Sequence, residues 1–209
     1  MHRQQAVEHT PLEIRPGTPL IFLDIDGVLN RTKHGSHVRV DDDLMSNLLL
    51  LVKSTGARII WSTFWRGFRT YLDYLLFRYG LEPSVGVTPG ELSTEGRSAV
   101  DEAPYACRAE EIASFLDGLS PQARHSFVVI DDREVVAGGA RPGFDALPAA
   151  KQRLELRLSP YFVRTDAAEG LTAAKVDAAI DILRTQGSML RGAREAARRL
   201  LSTTSSSET

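Results

Sequence analysis

The chain has 209 residues, of which 43% are hydrophobic, and 25 basic against 27 acidic residues give a formal net charge of −2. This length is typical of one globular domain, and the near-neutral charge excludes a uniformly basic, histone-like binder. No apolar run approaches the roughly 20 residues of a membrane span, and residues 1–18 lack the apolar segment of a signal peptide. We therefore expect a soluble, cytoplasmic protein that does not act at a membrane.

Short apolar segments alternate with segments of helical periodicity along the chain. Strands that are buried on both faces are predicted over residues 20–23, 57–61, 127–130 and 161–164. Helices are predicted over residues 42–53, 63–79, 109–119, 172–185 and 188–201. Because strands that alternate with helices are joined by right-handed crossovers, we predict an α/β fold with a three-layer parallel sheet and helices on both faces.

The composition of the segments predicts how the domain is organised. We expect a flexible lead over 1–18, a catalytic domain over 19–186, a basic C-terminal helix over 187–201 and a disordered tail over 202–209. The connections after the first two strands are too short for a large cap domain with its own core. Residues 133–160, which contain several glycines and basic side chains, predict a flexible basic wall beside the site.

Three of the predicted strands end in polar side chains. These side chains are, in chain order, Asp24, Asp26, Ser62, Thr63, Asp131 and Asp132. Ligands of open α/β sheets bind at the carboxyl ends of the strands, and carboxylates gathered there repel one another unless a cation neutralises them. Oxygen-only ligands favour a hard ion such as Mg²⁺. The sequence therefore predicts a magnesium site at this edge of the sheet.

These motifs resemble those of the haloacid dehalogenase (HAD) superfamily of aspartate-nucleophile phosphotransferases. The four family motifs are matched, in the family's order, by Asp24 to Val28, by the strand ending in Ser62-Thr63, by Arg108 and by Asp131-Asp132. Within the superfamily, the chain resembles the small, minimally capped domains of nucleic-acid repair phosphatases. The segments that carry this resemblance are Trp61 to Arg66, Arg108 to Ile112, Phe162 to Asp166 and Gly170 to Thr172.

The resemblance implies a Mg²⁺-dependent phosphatase that works through an aspartyl-phosphate. Asp24 would be the nucleophile that attacks phosphorus. Asp26 would protonate the leaving oxygen and then accept a proton from the attacking water. Mg²⁺ would be held by the Asp24 carboxylate, the Asp26 backbone carbonyl and Asp131, with Asp132 as further support.

For the groups that bind the phosphate oxygens, the resemblance leaves alternatives open. Either hydroxyl of the second motif could contact the phosphate, and we prefer Thr63, which leaves Ser62 as the helix cap. Arg108 takes the position at which lysine is commoner in the family. Lys53 and Arg97 are the alternatives to Arg108 for this role.

Further substrate contacts are expected around these motifs. Gly27 would let a phosphate approach backbone N–H groups. Ser62 and Arg66 belong to the second motif segment, and the motif that ends in Arg133 resembles the phosphatase site of phage polynucleotide kinase-phosphatase. Trp65 is a candidate for stacking on a base, since it lies outside the apolar strand.

An open site without a lid suits a large substrate. We therefore expect a phosphorylated substrate that is a nucleic-acid end or a nucleotide. The alternatives are a small-metabolite phosphatase and a non-catalytic HAD-like binding or regulatory module. A signalling receiver domain is disfavoured because its acidic pair comes first in the chain, whereas here the pair at 131–132 comes last. Nothing in the sequence indicates an oligomeric state.

Overall fold

A computed structural model of the chain describes residues 14–31, 38–89, 108–119, 125–133 and 144–204. The strands are β1 (Leu20–Leu23), β2 (Arg58–Trp61), β3 (Gly86–Val87), β4 (Phe127–Asp131) and β5 (Phe162–Arg164). They form one parallel sheet in the order β3-β2-β1-β4-β5. The predicted α/β class and parallel sheet are confirmed.

The helices connect these strands. They are α1 (Asp42–Thr55), α2 (Arg69–Arg78), α3 (Arg108–Asp117), α4 (Ala149–Leu158) and α5 (Ala173–Thr204). Short 3₁₀ helices occupy Phe64–Phe68, Phe144–Ala146 and Ser159–Tyr161. None of the described helices combines the length and the apolar composition that crossing a bilayer requires.

The helices cover both faces of the sheet, as the three-layer prediction requires. Side chains alternate along β1, so that Ile21 and Leu23 pack against α1, α2 and α5 on the first face. Leu20 and Phe22 pack against α3 and α4 on the second face. The sheet is therefore buried on both sides, and polar groups can reach solvent chiefly at the strand ends.

The prediction of two C-terminal helices is wrong, because α5 is continuous through Gly187. A helical glycine costs only about 1 kcal/mol relative to alanine. Tertiary contacts hold the helix at this point, since the Gln186 side chain accepts from the N–H of Phe127 and donates to its carbonyl. The helix reaches Thr204 and so includes the start of the predicted tail, while 205–209 lie outside the described residues.

Other boundaries also differ from the predictions. Part of the predicted flexible wall is the helix α4, in which Leu154 and Leu158 lie one turn apart and pack on the second face. The predicted helix over 63–79 divides into a 3₁₀ turn and α2. The described parts of the two connections contain no cap, and 32–37 and 90–107 lie outside the described residues. The four-part division of the chain stays a prediction.

Candidate active site

A row of polar residues crosses the carboxyl edge of the sheet. In the parallel register, Leu23 of β1 lies beside Trp61 of β2 and Ile130 of β4. The residues one position further along form the next row. From β3 to β5 this row contains Thr88, Ser62, Asp24, Asp131 and Arg164. The fold thus brings the ends of three predicted motifs to one line, although more than 100 residues separate the first from the last.

Arg108, the first residue of α3, lies against the centre of this row. Its Nη1 is 2.9 Å from Oδ2 of Asp24 and 2.5 Å from Oδ2 of Asp131. All three side chains are buried, with exposed fractions of 4%, 6% and 1%. The alternative Lys53 lies in the last turn of α1, beside the start of β2 at the opposite edge of the sheet. Arg97 lies outside the described residues.

Asp132 adds a third carboxylate to this cluster. One carboxylate oxygen from each of Asp24, Asp131 and Asp132 lies within 4.8 Å of the others. Burial raises the pKa of Asp131 to about 7, with Arg108 opposing the rise and Asp24 adding to it. Burial and then the charge of Asp24 also raise the pKa of Asp132. Both shifts arise mainly from burial, and the charge of Asp24 adds to them. The three carboxylates offer only oxygen ligands, which suit a hard divalent cation such as Mg²⁺.

The carboxylate of Asp26 lies apart from this cluster, at the rim. Its Oδ2 accepts a hydrogen bond of 2.7 Å from Nε1 of Trp65, and its Oδ1 accepts one of 2.9 Å from Nδ2 of Asn30. Trp65 and Asn30 therefore orient Asp26, and sequence reasoning missed this role for both. The spacing of four residues between Asp26 and Asn30 was a readable signal, whereas nothing local indicated Trp65. Metal binding by the Asp26 backbone carbonyl stays a prediction.

Gly27 lets the first and fourth motifs approach each other. Its φ is +71°, and a Cβ added there would lie 2.6 Å from Cγ of Asp132. A side chain at this position would therefore displace a candidate metal ligand. The loop is also tied to the end of β5, because the Thr165 hydroxyl donates a hydrogen bond of 2.7 Å to the Gly27 carbonyl. The Gly27 N–H donates to Oδ1 of Asn30, and its predicted contact with substrate stays a prediction.

The two hydroxyls of the second motif have different surroundings, and which of them contacts the phosphate stays a prediction. Thr63, not Ser62, caps the following 3₁₀ turn by accepting a hydrogen bond of 3.2 Å from the Trp65 N–H. The Oγ of Ser62 is buried and has no hydrogen-bond partner among the described residues. Ser62 stands in the row beside Asp24, and the alternation along the strand turns Thr63 to the other face. Counting alternate positions from the apolar residues of β2 would have predicted that the side chains of Ser62 and Thr63 lie on opposite faces.

The two predicted substrate arginines have different surroundings. Both Nη atoms of Arg66 bind the carboxylate of Glu111, at 2.9 and 3.0 Å. The Arg133 backbone N–H donates to Asp131, and its half-exposed side chain extends along the rim, with Nε 3.8 Å from Asp132. The structure therefore brings Arg133 to the site and holds Arg66 against α3. Their contacts with substrate stay predictions.

Comparison with known proteins adds one match. The model of the family described as "HAD domain in Swiss Army Knife RNA repair proteins" matches residues 20–176. The match extends from the first residue of β1 into the first turn of α5, so it includes every predicted site residue. No curated protein and no solved structure matches the chain.

Proposed function

The chain belongs to the family of HAD domains in Swiss Army Knife RNA repair proteins, and from this premise we propose that it is a Mg²⁺-dependent phosphatase that acts on phosphorylated nucleic-acid ends. The family supports phosphatase-type hydrolysis in RNA repair. The observation that carries the proposal is the buried cluster of Asp24, Arg108 and Asp131, level with the hydroxyl of Ser62, for which the described part of the chain offers no hydrogen-bond partner. A buried polar row of this kind needs a polar ligand to satisfy it.

Asp24 is the proposed nucleophile. Its carboxylate oxygen attacks phosphorus, the bond from phosphorus to the leaving oxygen breaks, and an aspartyl-phosphate forms. Asp26, protonated at this stage, gives its proton to the leaving oxygen. Water then attacks the same phosphorus and loses a proton to Asp26, and the Asp24 carboxylate is released with inorganic phosphate. Both residues end in the state in which they began.

The metal ligands follow from the cluster geometry. Asp24, Asp131 and Asp132 would hold the ion, because their oxygens already lie within 4.8 Å of one another. When bound, Mg²⁺ screens the repulsion between the phosphate and the carboxylates. Arg108 fixes the orientation of Asp24 and keeps positive charge beside the position where charge develops on the phosphoryl oxygens.

Ser62 is the proposed hydroxyl ligand of the phosphoryl group, in place of Thr63. A buried hydroxyl without a partner costs free energy unless a ligand supplies the missing hydrogen bond. Ser62 has such a hydroxyl in line with the nucleophile, whereas the oxygen of Thr63 already accepts a hydrogen bond from its own turn. Substitution Ser62→Ala should therefore lower activity more than Thr63→Ser.

The experiment compares the wild type with Asp24→Asn on an aryl phosphate and on oligonucleotides that carry a 5′- or a 3′-phosphate, with Mg²⁺. We expect turnover by the wild type and a loss of at least about a thousandfold in Asp24→Asn. Asp117→Asn, at an exposed position of α3, is the control and should keep full activity. Borohydride trapping followed by peptide mass spectrometry should locate the modified residue at Asp24.

The same assays distinguish the alternatives. A wild type as inactive as Asp24→Asn on every substrate would contradict the proposal and favour a non-catalytic binding module. Activity confined to sugar phosphates, with none on oligonucleotide ends, would favour a small-metabolite phosphatase.

A further inference from the structure

A cavity of about 620 Å³ opens beside the carboxylate cluster, on the side of β5 and α5. Asp132 belongs to both, since it lines the cavity and its carboxylate oxygen lies in the cluster with Asp24 and Asp131. Thr165 also lines the cavity while its hydroxyl binds the loop that carries Asp26. A ligand whose phosphate reaches the cluster can therefore extend directly into the cavity.

Positive charge predominates on the cavity wall. Arg133 follows β4, Arg164 ends β5 and Lys175 lies in the first turn of α5, so three separate elements each contribute one cation. Two carboxylates accompany them. Asp132 belongs to the carboxylate cluster and lies 3.8 Å from Nε of Arg133, and Asp166 accepts a hydrogen bond of 2.7 Å from the N–H of Ala168 within its own turn.

Lys175 is the cation that the rest of the fold explains least. It is half-buried beside the cavity, and the described part of the chain offers it no ion-pair partner. Its long side chain loses conformational freedom on burial, which needs compensation by a contact. An anionic ligand in the cavity would supply that contact.

We propose that this cavity binds a second phosphate of the substrate, the phosphodiester next to the phosphomonoester that the site hydrolyses. The inference rests on the proposed function and deepens it, because it names the part of the nucleic-acid end that binds beside the reacting phosphate and where it binds. The three cations of the cavity wall exceed its two carboxylates by one charge, which the single negative charge of a phosphodiester balances. A mononucleotide or a sugar monophosphate would leave this cationic wall without a ligand.

The experiment measures kcat/KM for two pairs of adenosine substrates. The pairs are pApA against pA and ApAp against Ap, in which the reacting phosphate is the same and a second adenosine is added through a phosphodiester. In whichever pair the enzyme hydrolyses, we expect kcat/KM to be about tenfold or more higher for the dinucleotide than for the mononucleotide. The same dinucleotide with a neutral methylphosphonate linkage keeps the bases and the size, and should lose the preference.

Two lysine substitutions test the cavity itself. Lys175→Gln should lower the preference for the dinucleotide by about tenfold. Lys53→Gln is the matched control, since Lys53 is exposed at the opposite edge of the sheet, and should leave the preference unchanged. Because the preference is a ratio of two substrates on one protein, a general loss of activity does not alter it.

Unchanged preference in Lys175→Gln, or equal rates on phosphodiester and methylphosphonate linkages, would overturn the inference. Failure of the proposed function has a different signature, namely that the aryl phosphate and all adenosine substrates stay intact. In that case calorimetric titration of ApA, which has a phosphodiester but no terminal phosphate, still tests whether the cavity binds a phosphodiester. Binding that Lys175→Gln weakens about tenfold would support the cavity, and equal binding to both proteins would refute it.

Discussion

Asp24 and Asp26 are separated by one residue, but their carboxylates have opposite surroundings. Asp24 is buried against the Arg108 guanidinium and shares it with Asp131. Asp26 lies at the rim, where two neutral donors, the Trp65 indole and the Asn30 amide, hold its oxygens. The guanidinium of Arg108 and a buried position suit the role proposed for Asp24, which needs a charged carboxylate in a fixed orientation. Neutral donors at a half-exposed position suit a group that exchanges protons with substrate and water.

In the proposed mechanism, this difference corresponds to two separable chemical roles for one short loop. The buried cluster around Asp24 would set the geometry of attack and the metal affinity. The rim around Asp26 would set proton transfer. Substitutions in the two regions should therefore differ in which step they slow, and not only in the size of the effect.

Among substitutions that keep the carboxylate of Asp24, the largest effect is expected for Asp26→Asn, which removes the proposed proton transfer. Turnover should fall by about 10² to 10⁴-fold. An aryl phosphate with a good leaving group needs no proton, so a burst of one product per enzyme should precede the block in hydrolysis of the aspartyl-phosphate. Rapid-mixing absorbance measurements detect this burst.

The control for Asp26→Asn is Asp73→Asn. Asp73 also accepts a hydrogen bond from an indole, that of Trp61 at 3.0 Å, but lies on α2 away from the cluster. It should show wild-type turnover. Equal bursts in Asp24→Asn and Asp26→Asn would contradict the separation of the two roles.

Arg108→Met tests the other region and should affect both activity and stability. Loss of the guanidinium should lower kcat by about 10² to 10³-fold. It also leaves two buried carboxylates without their cation, so the free energy of unfolding at pH 8 should fall by about 3 kcal/mol. Urea denaturation measures this change.

The control for Arg108→Met is Arg58→Met, which removes an ion pair with the exposed Glu82. It should lower the free energy of unfolding by less than about 1 kcal/mol. A similar decrease in both variants would count against a special role for the cluster.

Mg²⁺ affinity should depend on pH through the cluster. Because burial raises the pKa of Asp131 to about 7, this carboxyl holds a proton below that pH and the ion must displace it. The dissociation constant should therefore decrease about tenfold per pH unit from pH 5.5 up to about 7, and level off above it. Calorimetric titration measures this dependence. Asp26→Asn should keep the dependence and Asp131→Asn should lose it, while an affinity independent of pH in the wild type would contradict the raised pKa.

The smallest effect is expected for Trp65→Phe, which keeps a ring beside Phe68 but removes the hydrogen bond to Asp26. One charge-assisted hydrogen bond corresponds to roughly a tenfold loss of kcat, with little change in KM because Trp65 acts through Asp26. Trp61→Phe removes the equivalent bond to Asp73 and should leave kcat unchanged. A change in KM alone for Trp65→Phe would instead indicate the direct base stacking that the sequence suggested.

Part of the fold was accessible from the sequence because its signals are local. Four apolar residues followed by an aspartate indicate a strand that ends at Asp24, and the same pattern locates Asp131. Alternation of these strands with helices then determines a parallel sheet and brings the carboxylates to one edge. The length of α5 was not accessible, because the contact of Gln186 with β4 stabilises the helix across a glycine.

By itself, the sequence determined which residues are available to the chemistry, including Asp24, Asp26, Arg108 and the acidic pair at 131–132. Only the tertiary structure decided how they are arranged. Register and side-chain alternation place Ser62, rather than Thr63, beside Asp24. The hydrogen bond from Trp65 to Asp26 and the cavity lined by Lys175 join residues far apart in the chain. Such contacts depend on how separate elements pack, and no local pattern records that packing.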